Sequence, residues 1–217
     1  MVQMKTYKTA REWLNARTSC IGGSDAASIL GLSPWRTNVQ LWEEKTGREK
    51  PADIGDNPAV MYGQSAEEHL RALFVLDFPE YAVRYRPFNM WTNDRFPWAH
   101  ASLDGWLEES TTGRQGILEI KTANIQSSTQ REKWNGQIPM NYYAQILWYM
   151  MVTEFSFAVL KAQLKREYDG EVRLETRHYK IERAEVEQDI AILADAGEKF
   201  YKAIINDERP NLILPPI

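Results

Sequence analysis

The sequence predicts an α/β (α+β) fold in which a short antiparallel meander of strands is covered by helices. Three observations carry this. Ala59 to Phe78 repeats apolar residues at helical spacing. Three segments between Tyr81 and Ala123 alternate or run apolar as strands do, and Ile138 to Val152 is apolar on nearly every side. With 217 residues, 43% of them hydrophobic and 12% aromatic, the chain suits one domain with a substantial core.

From the N-terminus, Thr9 to Arg17 is expected to be a helix with Trp13, Leu14 and Arg17 near one side. In the run CIGGSDAASILG, Gly22 and Gly23 permit a tight turn, Ser24 is the expected N-cap, and Asp25 to Leu30 make a short helix closed by Gly31. The Gly-Gly-Ser entrance has two readings: a plain capped helix, or a helix start whose free N–H groups receive an anion. Ser33-Pro34 precedes a second entrance, where Thr37 and Gln40 form a capping box for a helix over Val39 to Thr46, stopped by Gly47. Residues 48–58, with two prolines and several acids, are a loop.

In the long helix Ala59 to Phe78 the expected buried stripe is Ala59, Tyr62, Gly63, Ala66, Leu70, Leu73 and Phe74. Glu67 sits on its margin and Glu68 faces away. Glu67 can therefore look into a cleft, or simply be solvated. Tyr81 to Trp91 and Trp98 to Leu107 read as strands, the second with Asp104 near its end, and Gly116 to Ala123 (GILEIKTA) is a third.

Residues 124–137 are polar and irregular, so Arg131, Lys133 and Trp134 become candidates for contact with DNA or another ligand. Ile138 to Val152 is a buried helix whose conspicuous polar member, Gln145, needs hydrogen-bond partners. Phe155 to Leu164 and Arg173 to Ile181 are two further strands, joined at Asp169-Gly170 by a hairpin turn. Arg183 to Ile205 is the closing helix, and the tail ending NLILPPI is too rich in proline to continue it.

Composition narrows the function. One cysteine, Cys20, excludes an internal disulfide framework and a cysteine-based zinc site, and fits a reducing cytoplasm. No apolar window approaches the roughly 18 residues of a membrane span, and the N-terminal MVQMKTYKTAREW has no signal-peptide core. The expectation is a cytoplasmic protein that does not engage a membrane. A net charge of −4 argues against general adhesion to nucleic acid. Charge is uneven, however: residues 1–50 carry eight Lys or Arg against five acids, and residues 51–110 four against ten. No phosphate-loop or dinucleotide-binding pattern occurs, and His69, His100 and His178 are too scattered for a histidine metal motif.

GILEIKTA holds the chemistry. On a strand, Ile117, Glu119 and Lys121 share one side while Leu118 and Ile120 share the other. An acid and a base in a segment fit for the interior need either solvent or a partner for each charge. If Asp104 lies beside them, two carboxylates converge, and Mg²⁺ would relieve their repulsion. Lys121 would then face a phosphate or a water, as in metal-assisted phosphodiester hydrolysis. The same spacing also suits a solvated antiparallel pair.

Trp13 with Arg17, the Gly-Gly-Ser ending at Ser24, YGQSAEEHLRALF at 62–74, ASLDG at 101–105, LEIK at 118–121 and YYAQ at 142–145 occur in an order that resembles the phage lambda exonuclease and YqaJ-like viral recombinase family. The resemblance spans Trp13 to about Val152. It implies the PD-(D/E)xK nuclease core, a central mixed β-sheet flanked by helices, with residues 1–50 forming a DNA-end-binding part, 59–182 the catalytic core and 183–217 a closing helix and tail. It further implies that Asp104, Glu119 and the Ile120 carbonyl ligate Mg²⁺, two ions per site with Mn²⁺ able to substitute. Glu67 and Gln145 would support the second metal and the nucleophile. Lys121 would align or deprotonate the attacking water, or stabilise charge. Arg17 and Ser24 would hold the 5′-terminal phosphate, with Trp13 also at the DNA. Ser102-Leu103 stands where the fold's name expects proline before the aspartate.

The implied activity is 5′-to-3′ digestion of one strand of duplex DNA, leaving a 3′ overhang for a single-strand annealing protein. A ring of three subunits would encircle the DNA. An endonuclease of the same fold, or a non-catalytic module that binds DNA ends, remains the alternative.

Overall fold

The computed structural model describes residues 1–214, the side chain of Tyr168 excepted; Pro215, Pro216 and Ile217, the end of the proline-rich tail, lie outside them. The chain forms β1 (Val2–Thr6), α1 (Ala10–Thr18), β2 (Ile21–Gly22), α2 (Gly23–Ile29), α3 (Asn38–Lys45), α4 (Pro58–Asp77), β3 (Tyr81–Arg84), β4 (Asn89–Asn93), β5 (Ala99–Ala101), β6 (Gly105–Glu109), β7 (Gln115–Asn124), α5 (Ser128–Glu132), α6 (Met140–Thr153), β8 (Phe157–Tyr168), β9 (Glu171–Glu182) and α7 (Arg183–Ile205).

The strands make two sheets. One has four strands in the order β1-β4-β5-β2, the other five in the order β3-β6-β7-β8-β9. All neighbours in the larger sheet are antiparallel except β7 and β8, so it is mixed, as the family resemblance implies. Parallel neighbours need a crossover, and α6 supplies it. α4 packs Leu70 and Phe74 against Leu118, Ile120 and Val159 on one face of the sheet. α6 and α7 cover the other, where Ile117, Ala158 and Leu160 meet Trp148, Met151 and Leu193. The far side of α6 rests on α2 and the smaller sheet.

Several helix ends follow local chemistry. Thr9 Oγ1 accepts the Glu12 N–H at 3.2 Å, and Thr37 with Gln40 forms the expected reciprocal box. Asp169 and Gly170 both have positive φ, as a two-residue hairpin loop demands.

Each strand expected over Tyr81–Trp91 and Trp98–Leu107 is two strands, divided between the sheets. After Arg84 the chain passes Pro87, which has no N–H to give a ladder, and turns at Phe88 with φ 54°. In the second, Leu103 leaves the ladder because the Asn89 side chain satisfies it, accepting its N–H and donating to its carbonyl, both at 2.9 Å. Asp104 thus lies in a connection, not in a strand. Nothing in residues 1–8 had suggested β1.

Two more expectations need correction. α2 starts two residues earlier than Ser24 as N-cap suggests: Gly22 is the N-cap and gives its N–H to the Asp25 carboxylate at 3.1 Å. Gly23 is glycine because a Cβ there would stand 2.3 Å from the Tyr149 ring. Of the stripe on α4 only Leu70 and Phe74 are fully buried, and Ala59, Tyr62 and Leu73 are exposed. α4 meets the sheet along a narrow line, so the stripe is narrower than its sequence.

Gly197 in α7 sets helix propensity against packing. Alanine is favoured over glycine inside a helix by about 1 kcal/mol, yet a Cβ at Gly197 would meet Trp98 at 2.7 Å and Trp148 at 3.0 Å. Overpacking costs about 1–3 kcal/mol. Gly197→Ala is expected to lower the thermal midpoint, by a few degrees for a chain of this size; an unchanged or higher midpoint in calorimetry would show that the two tryptophans yield.

Candidate active site

β7 supplies the centre. β6 pairs with it only as far as Gly105 opposite Leu118, so from Glu119 onward that edge is free of β6. Asp104 stands at this mouth, where its Oδ2 accepts the Ile120 N–H at 2.8 Å. The Ile120 carbonyl leaves the strand on the same edge as its N–H. Glu119 and Lys121 share the face that lies under α6, as alternation requires.

Glu119 is 1% exposed, on an interior strand. Its Oε1 accepts from Lys121 Nζ at 2.5 Å and from Gln145 Nε2 at 3.0 Å. Its Oε2 is buried and has no partner among the described residues. Gln145 also donates to the Tyr149 hydroxyl at 2.7 Å. The buried amide therefore has the partners that its position on an apolar helix demanded.

Glu67 approaches from α4, bound to the Arg71 guanidinium. Arg71 also donates to the Asp104 carbonyl at 2.6 Å and lies 3.6 Å over the Tyr85 ring. Glu68 is exposed. Burial first, then the Asp104 charge, push Glu119 up to about 8 against the pull of Lys121. The same two causes push Glu67 up to about 7 against Arg71 and Lys121. Burial works to discharge Lys121, but Glu119 and Asp104 outweigh it and raise its pKa, so it stays an ammonium. Three acids thus stand around two cations, which pair with Glu67 and Glu119.

Carboxylate oxygens and a peptide carbonyl are the donors that a hard divalent cation takes. The residues present fit one, because the unpartnered Glu119 oxygen is an open ligand and a cation would relieve the repulsion that raises both glutamates. Among the described residues no three Asp, Glu, His or Cys side chains already stand as a metal cage. Protein partners hold the acids instead.

A second cluster lines a cavity of about 210 Å³ between α1, α2 and α3, and includes Arg17, Ser24, Arg36, Lys45 and His100. Asp25 is its hub, bound by Arg36 at 2.7 Å and by Lys45 at 2.9 Å. Burial would raise the Asp25 carboxyl, but these cations and the Gly22 N–H hold it below the usual range. Arg36 also binds Glu44, so its charge is shared between two acids. Arg17 lies 4.3 Å over the Trp13 ring.

Arg17 and Ser24 are therefore together, as are Asp104, Glu119, Glu67, Lys121 and Gln145. Of the two tryptophans expected at DNA, Trp13 stands beside Arg17 and Trp134 is packed inside. Trp13 is half-buried on Phe88, gives its indole N–H to the Asn89 carbonyl at 3.0 Å, and serves as a seat for Arg17. Trp134 is 3% exposed between Tyr142 and Tyr179. The loop that carries it is partly helical, as α5. Arg131 faces Glu175 at 3.6 Å, and Lys133 is exposed.

Arg71 and Tyr149 were missed, although each stands four residues after a partner, Glu67 and Gln145, at the spacing of helical neighbours. Arg36, Lys45 and His100 gave no local sign, since the hub at Asp25 collects them across loops.

Residues 12–156 match the family described as the YqaJ-like viral recombinase domain. The chain is 30% identical over 142 residues to the uncharacterized protein YqaJ of Bacillus subtilis (strain 168); the match covers 65% of this chain and 41% of that protein, so it spans less than half of that relative's length. Among solved structures the chain is similar to an alkaline exonuclease (LHK-Exo) from Laribacter hongkongensis, with a TM-score of 0.63, 19% identity, and coverage of 92% of this chain and 97% of that one. The same enzyme in complex with dAMP gives 0.64. A phage-related exonuclease from Haemophilus somnus 129PT gives 0.52 at 14% identity, with 89% and 98% covered. At these identities the likeness is one of fold alone.

The raised acids set a pH dependence. A carboxyl with a higher pKa folded than unfolded contributes fully below its ordinary value of 4.5, and that contribution is lost as pH rises toward about 7 for Glu67 and about 8 for Glu119. The metal-free protein is expected to lose stability between pH 5 and 8, by at most about 1.4 kcal/mol per pH unit for each group while it titrates. Glu67→Gln should flatten the lower part of that slope. Thermal unfolding in chelator measures both, and stability that increases over this range would refute the account.

Proposed function

The chain belongs to the YqaJ-like viral recombinase family, and we propose that it is a Mg²⁺-dependent 5′-to-3′ exonuclease on double-stranded DNA ends that leaves a 3′ overhang. The observation that carries this reading is Glu119: a carboxylate buried in the middle of a sheet, one oxygen unpartnered among the described residues, with an ammonium at 2.5 Å and a second acid at the adjacent strand end. A protein seldom keeps such a group without a use for it.

In this reading Asp104, Glu119 and the Ile120 carbonyl hold one Mg²⁺ and Glu67 serves a second, Mn²⁺ being able to substitute. When bound, the cation takes charge from the phosphate and makes water a nucleophile at neutral pH. Lys121, kept as an ammonium, donates to water or phosphate oxygens. Gln145 fixes the Glu119 carboxylate, and Arg71 fixes both Glu67 and the backbone of Asp104. Arg17 and Ser24 take the 5′-terminal phosphate; with Arg36 and Lys45 committed to acids, Arg17 is the guanidinium left for it. The LHK-Exo complex with dAMP supports this, since a 5′-nucleoside monophosphate is what such cleavage releases. The partners are a duplex DNA end, a single-strand annealing protein that takes the overhang, and two further copies of the chain in a ring, all carried by the family resemblance.

Lys121→Ala is expected to lower nucleotide release from linear duplexes by about 10²–10⁴-fold, the range for loss of a positioned proton-transfer or charge-stabilising group, with end binding retained. A time course on duplexes labelled separately at each end, with and without Mg²⁺, tests the reaction and its direction. Efficient cutting of a covalently closed circle would favour an endonuclease.

Arg17→Ala is expected to impair 5′-phosphorylated ends most, by roughly 1.5–3 kcal/mol for a charge-assisted contact. Equal losses on phosphorylated and hydroxyl ends in a steady-state comparison would place the phosphate pocket elsewhere.

A further inference from the structure

Of the eight tryptophans, seven are buried or half-buried. Trp35 is 72% exposed. A ring of this size gains by being covered, and its surroundings show where a cover would lie. The Trp35 ring is 6.4 Å from that of Tyr142, and the Lys121 ammonium is 5.5 Å from the same Tyr142 ring. Behind Tyr142 stand Trp134 and Tyr179, at successive centroid distances of 5.5 and 6.2 Å. A row of rings therefore runs outward from the core, passes Lys121 and ends in the open at Trp35.

The indole is also held on a firm support. Ser33 Oγ accepts the N–H groups of Trp35 and Arg36, each at 3.3 Å. The Arg36 side chain is bound to Ser28, Asp25 and Glu44. Arg36 is thereby neutralised, so the offer at this point is a flat apolar face and not a charge for the phosphate backbone. Contacts to phosphate fix a strand but leave its terminal base free to swing, whereas a ring face stacks on any base.

We propose that Trp35 is a stacking platform for the unpaired nucleobase next to the phosphodiester that is presented to Lys121. The inference rests on the exonuclease reading and deepens it, naming the group that orients the terminal nucleotide without regard to its sequence. Trp35 binds substrate; the bond-breaking groups remain those around Glu119.

The test uses duplexes with 2-aminopurine at the 5′-terminal position, whose fluorescence is quenched on stacking, bound in chelator so that no hydrolysis occurs. The wild type should bind and quench. Trp35→Ala should bind about 5- to 150-fold more weakly and lose the quenching, Trp35→Phe should restore most of both, and Trp35→Leu should restore neither. With Mg²⁺, Trp35→Ala should raise KM more than it lowers kcat. Unchanged affinity and quenching in Trp35→Ala would overturn the proposal, as would a leucine that serves as well as phenylalanine, which would make Trp35 an apolar contact such as a protein partner uses. A wild type that binds ends without quenching removes the platform and leaves the exonuclease reading standing; failure to bind ends removes both. Thermal unfolding of each variant separates these results from misfolding.

Discussion

Placing the Glu119 carboxylate inside a sheet is the constraint that the neighbouring structure answers. A buried charge without partners is strongly unfavourable, and removing one partner of a buried pair typically costs about 3–5 kcal/mol. Lys121 comes from the same strand at no topological expense. Gln145 does not: it reaches Glu119 only because β7 and β8 are parallel and the crossover between them is a helix laid over the strand. That helix needs Tyr149 beside α2, and Tyr149 in turn excludes any side chain at position 23. One carboxylate therefore ties together a strand pairing, a helix position and a glycine in α2.

The constraint is only partly met, and the unmet part is the useful one. Asp104, Glu67 and Glu119 face two cations, and Glu119 keeps an oxygen without a partner among the described residues. A core optimised for stability would have replaced one acid with an amide or an apolar group. The arrangement resembles active sites generally, where stability is given up for charges held ready. The hub at Asp25 differs: its acid is fully answered by Arg36, Lys45 and a backbone N–H, and its carboxyl is held low, not high. One cluster is wound and the other is at rest.

How far the sequence could be read follows from the range of the forces involved. The alternation in β7, the box at Thr37 and the hairpin at Asp169-Gly170 are set within a few residues, and each stands where the local pattern puts it. The site acids were legible because strand period and helix period fix which way Glu119 and Glu67 point. The division of the segments at 81–91 and 98–107 was not, because Asn89 settles it by serving Leu103 fourteen positions away. Trp134 looked like a ring for DNA because its segment is polar and irregular, and polar neighbours in sequence cannot tell a stacking ring from a packed one. What separates them is exposure, which only tertiary contacts decide. Arg36 and Lys45 meet Asp25 across 11 and 20 positions, and no periodicity connects such residues.

β9, twelve residues long, is an outer strand of the larger sheet. A free strand edge of that length invites another chain to add itself. Here Arg173 lies by Glu171, Arg177 by Glu175 and Lys180 by Glu182, so the border is fenced by charges that are already matched within the strand. An incoming strand would have to pull those pairs apart and dehydrate them before gaining any ladder bond. The fence weakens in concentrated salt, where such surface pairs are screened, so the molecule's resistance to self-adhesion along this border is tied to the ionic strength of its surroundings.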